Sequence, residues 1–224
     1  MKSQLRAIFL SVACLLLSTF ACAQSGKYTT FYEQRASLFE CLPIISTDIV
    51  FLGNSLTNGC EWAELFGHPN IKNRGISGDE VMGVYDRLDP ILKGTPAKIF
   101  LMIGVNDISH DLEADTIVKM IAKVVNKIKS DSPRTLLYIQ SALPVNDSFT
   151  RFPKVHGKTS VIIALNEGLK QLSTTTESTY IDLYTHFVAP GTDSLNPHFT
   201  NDGLHLKGEG YLLWKEILLP YLAH

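Results

Sequence analysis

The stretch Lys98-Ile99-Phe100-Leu101-Met102-Ile103 decides the fold. It is continuously apolar after its first residue, which is typical of a central strand in a parallel sheet that is covered on both faces. Short β-branched or apolar runs also occur on either side of it along the chain, at Asp48–Leu52, Ile71–Asn73, Thr135–Gln140 and Thr179–Leu183. Together these runs predict a sheet of five strands.

Segments with helical periodicity alternate with these runs. They cover Phe31–Leu42, Glu61–Phe66, Asp79–Leu92, Ala114–Ser130, Val161–Ser173 and Lys207–Leu222. Strands that alternate with helices imply βαβ crossovers, which place helices on both faces of a parallel sheet. The predicted fold is therefore a single three-layer α/β/α sandwich with a five-stranded parallel sheet.

Composition and charge exclude several other classes of protein. The 224 residues are 45% apolar and 19% charged, which is close to an ordinary globular domain and unlike collagen or a disordered chain. The formal net charge is −2, so there is no basic excess to collect phosphates, and we expect no nucleic-acid partner. The length suits one domain that can bury a core without disulfides.

The first 23 residues have the pattern of a secretory signal peptide. Lys2 and Arg6 precede an uncharged apolar run, residues 7–20, and the small-x-small triplet Ala21-Cys22-Ala23 follows. The run is shorter than the ~20 helical residues that span a bilayer. We expect cleavage after Ala23 and export to the periplasm or the medium. A lipid anchor on Cys22 is the alternative, although the Leu usual at the start of a lipobox is missing.

The remaining segment, residues 24–224, is predicted to be a single domain with no transmembrane segment. Cleavage removes two cations and no anion, which leaves a net charge of −4. It also leaves two cysteines, Cys41 and Cys60. Export permits a disulfide between them, and two buried free thiols are the equal alternative.

Turn signals place the connections. Ser77-Gly78-Asp79-Glu80 fits a capping box, which predicts that a helix starts at Ser77 and that Asn73–Ser77 is a tight strand-to-helix turn. The connection Leu143–Lys158 is long for a compact domain. Such a loop is either functional or a variable surface excursion, and its role stays open here.

Four segments that follow the predicted strands or precede the last helix carry residues with complementary chemistry. They are Gly53-Asn54-Ser55-Leu56-Thr57, Asn73-Arg74-Gly75-Ile76-Ser77, Gly104-Val105-Asn106-Asp107 and Asn201-Asp202-Gly203-Leu204-His205. Each one alone is more often a turn. Because ligands of open α/β sheets bind beyond the carboxyl ends of the strands, we expect all four to meet at one edge.

These residue types suit nucleophilic catalysis. Serine needs a base, His205 can accept the proton of Ser55, and Asp202 can orient and stabilise the imidazole. The main-chain N–H groups of Ser55 and Gly75 and the amide of Asn106 are the predicted oxyanion donors. This mechanism requires neither a cofactor nor a metal.

Two other catalytic templates fit less well. The α/β-hydrolase elbow Gly-x-Ser-x-Gly is broken, because Thr57 stands at its last position. A metal hydrolase would need a ligand cluster from Asp107, His198, Asp202 and His205, and no metal-binding spacing supports one.

Four blocks in these regions, in their order, resemble the conserved blocks of the SGNH (GDSL-type) hydrolases over essentially the whole predicted domain. They are Gly53-Asn54-Ser55-Leu56, Asn73-Arg74-Gly75-Ile76-Ser77-Gly78-Asp79, Gly104-Val105-Asn106-Asp107 and Asp202-Gly203-Leu204-His205. The resemblance implies a flavodoxin-like α/β/α fold, a Ser55–His205–Asp202 triad, and an oxyanion hole from Ser55, Gly75 and Asn106. One departure is Asn54, which stands where the family usually has Asp. Asn can make similar turn hydrogen bonds.

Within that family, Glu61-Trp62, the turn Asn73–Asp79 and the loop Gln140–Asn146 are similar to those of exported bacterial acylhydrolases and acetylesterases. These include sialate O-acetylesterase-like and platelet-activating-factor acetylhydrolase-like proteins. We therefore predict a serine esterase for short acyl esters, acetyl esters above all, on a carbohydrate or another small polar acceptor. A lysophospholipase or thioesterase of the same fold and a non-catalytic glycan-binding domain are the alternatives. The sequence leaves the acceptor and the oligomeric state open.

Overall fold

The computed structural model describes residues 26–222. The predicted signal peptide, residues 1–23, lies outside the described residues. From Phe31 onward the chain forms one compact unit.

The described chain contains one sheet of five parallel strands, as predicted. The strands are β1 (Ile49–Gly53), β2 (Ile71–Gly75), β3 (Lys98–Met102), β4 (Leu136–Gln140) and β5 (Thr179–Ile181). Their order in the sheet is β2-β1-β3-β4-β5, and every neighbouring pair is parallel. The apolar stretch around Phe100 is thus the central strand.

Helices cover both faces of the sheet. They are α1 (Thr30–Glu40), α2 (Ser55–Asn58), α3 (Trp62–Phe66), α4 (Val81–Asp86), α5 (Asp89–Leu92), α6 (Val105–Ser109), α7 (Ala114–Asp131), α8 (Thr159–Thr175), α9 (Tyr184–Phe187) and α10 (Gly208–Leu222), with a 3₁₀ turn at Pro153–Val155. The predicted α/β/α sandwich is confirmed.

Alternate strand residues enter two separate cores, because successive side chains of a strand point to opposite faces. In β3, Ile99 and Leu101 pack with apolar residues of α4, α7 and α8. Phe100 and Met102 face the other core, which α3 and α10 close. Burial on both faces explains why this strand has no polar alternation.

The second core contains a cluster of packed aromatic rings. Phe51, Phe100 and Tyr138 occupy matching positions on β1, β3 and β4 and stack in a row, with ring centroids 5.0 and 4.5 Å apart. Trp62 of α3 stacks on Phe51 at 4.4 Å and meets the edge of Trp214 at 5.0 Å. These contacts hold α3 and α10 against the sheet.

The predicted helix Asp79–Leu92 is two helices, α4 and α5. Pro90 is the second residue of α5. A proline has no N–H and clashes with the preceding turn of a helix, so it is tolerated at a helix start and not in a helix interior. The chain therefore breaks at Arg87 and Leu88 and begins a new helix.

The predicted capping box at Ser77 is wrong. The helix begins at Val81, and Glu80, which precedes it, is extended and makes no side-chain cap. Gly78 has φ +79°, a left-handed conformation that interrupts any helix. The cap comes from elsewhere in the chain, because the carboxylate of Asp107 accepts the N–H of Val81 at 3.2 and 3.3 Å.

The two cysteines of the described chain are both free thiols. Cys41 is exposed, whereas Cys60 is buried in the second core, and this burial raises the pKa of its thiol to about 12. Within residues 26–222, no helix is both long enough and apolar enough to cross a bilayer.

Candidate active site

Ser55 is the first residue of α2 and lies directly beyond the end of β1. The turn between them is tight: a Cβ on Gly53 would lie 2.2 Å from the carbonyl oxygen of Met102, so only glycine fits there. The buried Asn54 caps α2 by accepting the N–H of Leu56 at 3.0 Å. Asn at this position therefore makes the predicted turn hydrogen bond.

Ser55, His205 and Asp202 form one chain of hydrogen bonds. The Nε2 atom of His205 lies 2.9 Å from the Oγ atom of Ser55, although 150 residues separate them in sequence. The Nδ1 atom of the same ring lies 2.9 Å from the Oδ2 atom of Asp202. Each ring nitrogen thus has one partner, which is the arrangement that a serine needs for proton transfer to a base.

Asp202 is held as a carboxylate. Burial by itself would raise its pKa, but the main-chain N–H groups of His205 and Leu204 and the ring of His205 together lower it below the ordinary value. The two N–H groups donate to its Oδ1 atom at 2.7 and 2.9 Å. The other oxygen, Oδ2, is thereby directed to the imidazole.

A second loop supports the turn that carries Asp202 and His205. The main-chain N–H of Asn146 donates to the carbonyl of Gly203 at 2.9 Å. The side-chain amide of Asn146 donates to the carbonyl of Leu195 at 2.7 Å. Gly203 has φ +86°, and a Cβ there would lie 2.6 Å from the carbonyl oxygen of Asn146. The start of the Leu143–Lys158 loop therefore fixes the position of the turn.

Asn106, the second residue of α6, lines the same cleft as Ser55. Its Nδ2 atom donates to the carbonyl of Asp79 at 2.8 Å. An amide nitrogen carries two hydrogens, so the second one is available to a ligand in the cleft. The bond to Asp79 fixes the orientation of this donor.

Gly75 does not fit the oxyanion role that the sequence predicted for it. It is the last residue of β2, its single N–H already donates to the Oδ1 atom of Asn73 at 2.8 Å, and it is not among the cleft-lining residues. Gly78, three residues later, does line the cleft together with Ser77. The glycine that lines the cleft with Ser55 is thus Gly78 and not Gly75.

Sequence reasoning missed Asn73, which holds α2 in place. Its Nδ2 atom lies within 3.2 Å of the carbonyl oxygens of Thr57, Asn58 and Cys60, which all follow Ser55 closely. Its polar side chain near the end of a predicted strand was the available signal.

Arg87 is a second positioning residue that the sequence did not reveal. Its buried guanidinium donates to the carbonyl of Gly53 at 3.0 Å and to that of Arg74 at 2.8 Å, so it joins the ends of β1 and β2. It also pairs with Asp79 at 2.8 Å, and both side chains are buried. Burial raises the pKa of Asp79, and the charge of Arg87 partly offsets this rise.

The cleft beside Ser55 has a volume of about 390 Å³. It is lined by Ser77, Gly78 and Asn106 and by the five-residue segment 151–155. Phe152 of this segment meets the ring of His205 edge-on, with centroids 5.0 Å apart. The long loop therefore forms part of the site.

The four residues of the alternative metal site are mostly engaged with protein groups. Asp107 accepts the N–H of Val81, and Asp202 accepts from His205. Across residues 26–222, no group of three or more His, Cys, Asp or Glu side chains is placed to hold a metal ion.

Residues 51–213, nearly three quarters of the chain, match the GDSL-like Lipase/Acylhydrolase family. The matched range contains Ser55, Asn106, Asp202 and His205. The chain belongs to this family.

Individual relatives agree with this assignment. The chain is 33% identical over 104 residues to platelet-activating factor acetylhydrolase IB subunit alpha1 of Rattus norvegicus and of Mus musculus. This match spans 43% of the chain and 44% of each relative, so it covers less than half of their length.

Solved structures share the fold over most of the chain. A structure described as that of a platelet activating factor from Streptococcus pneumonia superposes with a TM-score of 0.79 at 26% identity, covering 95% of this chain and 99% of the other. A GDSL-like lipase from Bacteroides thetaiotaomicron gives a TM-score of 0.75 at 23% identity, covering 86% and 97%.

Proposed function

We propose that the chain is a serine esterase that hydrolyses short-chain acyl esters, acetyl esters above all, on a small polar acceptor such as a carbohydrate. The observation that carries the proposal is the hydrogen-bonded series Ser55–His205–Asp202, with 2.9 Å at each of its two links to the imidazole. Ser55 acts as nucleophile, His205 as general base and acid, and Asp202 as the group that orients the imidazole.

The first half of the reaction forms an acyl-enzyme. The Oγ atom of Ser55 bonds to the carbonyl carbon of the ester while its proton passes to the Nε2 atom of His205. Asp202 keeps the Nδ1 proton on the ring and stabilises the imidazolium. The tetrahedral intermediate then breaks its bond to the alcohol oxygen, which leaves with the proton from Nε2.

The second half releases the acid. Water gives a proton to the Nε2 atom of His205 and bonds to the acyl carbon, and the second tetrahedral intermediate expels the Oγ atom of Ser55. The serine recovers its proton from the imidazolium. The products are one alcohol and one carboxylic acid, and no cofactor takes part.

We assign three donors to the oxyanion of these intermediates: the main-chain N–H groups of Ser55 and Gly78 and the second amide hydrogen of Asn106. Gly78 replaces Gly75 because the N–H of Gly75 is already bound to Asn73, whereas Gly78 lines the cleft with Ser55 and Asn106. Donors fixed in advance stabilise charge that develops only in the transition state.

The preference for short acyl groups has two supports. The cleft of about 390 Å³ has to hold the acyl group and part of the acceptor together, which favours a small acyl group. The curated relatives that match part of the chain are named as acetylhydrolases. The polar acceptor remains our proposal from the sequence.

An ester panel tests the proposal. We expect the purified chain to hydrolyse p-nitrophenyl acetate and acetylated sugars, with kcat/KM falling as the acyl chain lengthens from two to eight carbons. Ser55→Ala should abolish turnover and also labelling by a fluorophosphonate. Equal or rising kcat/KM with longer chains would instead indicate a lysophospholipase or thioesterase. Ligand binding without turnover or labelling would indicate a glycan-binding domain.

We also propose that the protein is exported after cleavage behind Ala23. The support is the charged, then apolar, then small-x-small pattern of residues 1–23. Intact-mass measurement of protein from its native host should give a chain that begins at Gln24. A lipid-modified chain that begins at Cys22 would favour the anchored alternative, and an intact N-terminus would contradict export.

A further inference from the structure

We infer that the cleft binds an anionic group, a carboxylate or a phosphate, on the alcohol part of the ester, and that Arg151 and Lys154 recognise it. The inference rests on the proposed function, in which the short acyl group carries no charge. A charge recognised in this cleft therefore belongs to the alcohol part.

The charge of the cleft is unlike that of the chain. The whole sequence has a net charge of −2. The cleft lining, however, contains Arg151 and Lys154 and no Asp or Glu. An acidic chain that places two cations and no anion in the cleft of its candidate nucleophile favours a negatively charged ligand there.

Neither cation is bound by a neighbour: within residues 26–222, no hydrogen bond or ion pair of the Arg151 or Lys154 side chain is found, and both residues are exposed. Lys158 and, to a smaller extent, the charge of Lys154 lower the pKa of the exposed Asp111. The nearby carboxylate of Asp111 is bound by the Nζ atom of Lys158 at 2.6 Å. Asp147 accepts the N–H of Gly157 at 2.8 Å. The guanidinium and ammonium groups are thus available to a ligand.

The segment that carries the cations is fixed against the catalytic base. Its 3₁₀ turn ends at Val155, which is buried in the core and donates its N–H to Phe152 at 3.2 Å. The ring of Phe152 packs on His205. Arg151 directly precedes Phe152, and Lys154 directly precedes Val155. The packing of Phe152 and Val155 therefore sets the backbone positions of both cations relative to the imidazole.

The direction of the reaction brings the alcohol part next to the segment that carries the cations. The leaving oxygen receives its proton from the Nε2 atom of His205, so the alcohol must lie on the imidazole side of the carbonyl carbon. Phe152, which lies between Arg151 and Lys154 in sequence, packs on this imidazole. The two cations are therefore placed to meet the alcohol part.

The two side chains suit an oxyanion in different ways. A guanidinium can donate two parallel hydrogen bonds to a carboxylate or phosphate, and an ammonium adds a point charge. Because both groups are exposed, water and salt weaken their attraction. We expect their joint loss to reduce selectivity by about tenfold.

The test compares matched anionic and neutral acetyl esters. One pair is 4-acetoxybenzoate and its methyl ester, and the other is 1-acetylglycerol 3-phosphate and 1-acetylglycerol. We expect the ratio of kcat/KM, anionic over neutral, to fall about tenfold in R151Q/K154Q for at least one pair. The pair with the larger fall shows whether the anion is a carboxylate or a phosphate.

The matched control is Lys170→Gln, which removes an exposed cation of α8 outside the cleft lining. The control should keep the wild-type ratio for both pairs. A ratio that is unchanged in R151Q/K154Q for both pairs, or that falls equally in the control, overturns the inference.

A binding arm separates this inference from the proposed function. Ser55→Ala retains the cleft and cannot form the acyl-enzyme, so calorimetry can measure its binding of the intact esters. If the wild type hydrolyses neither p-nitrophenyl acetate, acetylated sugars nor any of the four esters, the proposed function fails. The inference is then supported if Ser55→Ala binds an anionic ester more tightly than its neutral partner. This difference in affinity should disappear when R151Q and K154Q are added to Ser55→Ala. Equal binding overturns it.

Discussion

At the scale of single residues, the properties of His205 depend on what its two ring nitrogens contact. One nitrogen meets the hydroxyl of Ser55 and the other the carboxylate of Asp202, each at 2.9 Å. A carboxylate on Nδ1 favours the tautomer that leaves Nε2 free to accept a proton. The hydrogen bonds from main-chain N–H groups to Asp202 keep this carboxylate charged and orient its Oδ2 atom toward the imidazole.

Asp202→Asn should lower kcat for p-nitrophenyl acetate by about 10³–10⁴-fold. The amide can keep its oxygen on the N–H groups of Leu204 and His205, so its NH₂ group faces the ring. This donor favours the tautomer with the proton on Nε2, which cannot accept the proton of Ser55.

Steady-state kinetics of Asp202→Asn are to be compared with Asp193→Asn, which changes an exposed carboxylate outside the cleft lining. The control should stay within twofold of the wild type. A similar small effect in Asp202→Asn would contradict the role proposed for this carboxylate.

Gly75 and Gly78 show that the amino-acid type does not determine which glycine presents its main-chain N–H to the cleft. Gly75 lies in the turn Asn73–Ser77 that the sequence predicted at the cleft, and Gly78 follows this turn directly; the sequence favoured Gly75. The structure leaves Gly75 in β2 with its N–H bound to Asn73, and brings Gly78 to the cleft. The direction of a main-chain N–H depends on backbone dihedral angles, which residue type alone does not specify.

At the scale of elements, the position of the nucleophile depends on how α2 packs against β2. Asn73 holds the carbonyl groups behind Ser55. Gly75 lets the backbones approach, because a Cβ there would lie 2.3 Å from the main-chain nitrogen of Asn58. This glycine therefore has a structural role that serves the site indirectly.

Gly75→Ala should reduce the free energy of unfolding by about 2–4 kcal/mol, because the new methyl group overlaps main-chain atoms of α2 that cannot rotate away. Displacement of α2 should also move Ser55 and lower activity at least tenfold. Thermal unfolding and ester hydrolysis measure the two effects.

Gly208→Ala is the matched control for this substitution. Gly208 is the first residue of α10, and a Cβ there would meet no atom within 4 Å. Alanine also has the higher helix propensity, so the variant should be as stable as the wild type or slightly more so. Wild-type stability and activity in Gly75→Ala would refute the packing argument.

The start of α4 is also decided by contact between elements. Ser77 and Glu80 have the spacing of a capping box, yet the N–H of Val81 is bound by Asp107 from the segment after β3. A cap supplied 26 residues later cannot be recognised from local spacing. Similarly, α2, α6 and α9 have only four or five residues, too few to show a helical period.

At the scale of the whole molecule, the buried carboxyl of Asp107 makes stability depend on pH. Burial raises its pKa to about 7, although the hydrogen bond from the N–H of Val81 acts to lower it. The folded chain therefore binds this proton more tightly than the unfolded chain. The resulting contribution to stability is fully present below about pH 4 and is lost as the pH rises through about 7.

Asp107→Asn should remove this dependence, because an amide does not ionise and can still accept the N–H of Val81. Relative to the wild type, its free energy of unfolding should increase by about 2–4 kcal/mol between pH 5 and pH 8. Urea unfolding at the two pH values measures the difference.

Ile108→Val is the control, since it changes a fully buried neighbour in α6 and removes no titrating group. Its difference from the wild type should be the same at both pH values. If the difference for Asp107→Asn is also constant, ionisation of Asp107 does not contribute to the stability of the fold.

The sequence by itself determined the layers of this protein, because apolar periodicity is a local property: five runs such as Ile99–Ile103 must be buried, and the segments between them can cover both faces. It also indicated which residue types could act together at the strand ends. Only the tertiary structure decided that Gly78 lines the cleft in place of Gly75, that Asp107 caps α4, and that residues 151–155 line the cleft beside Ser55. Those outcomes depend on contacts between segments distant in sequence, whose geometry is set by packing of the whole chain.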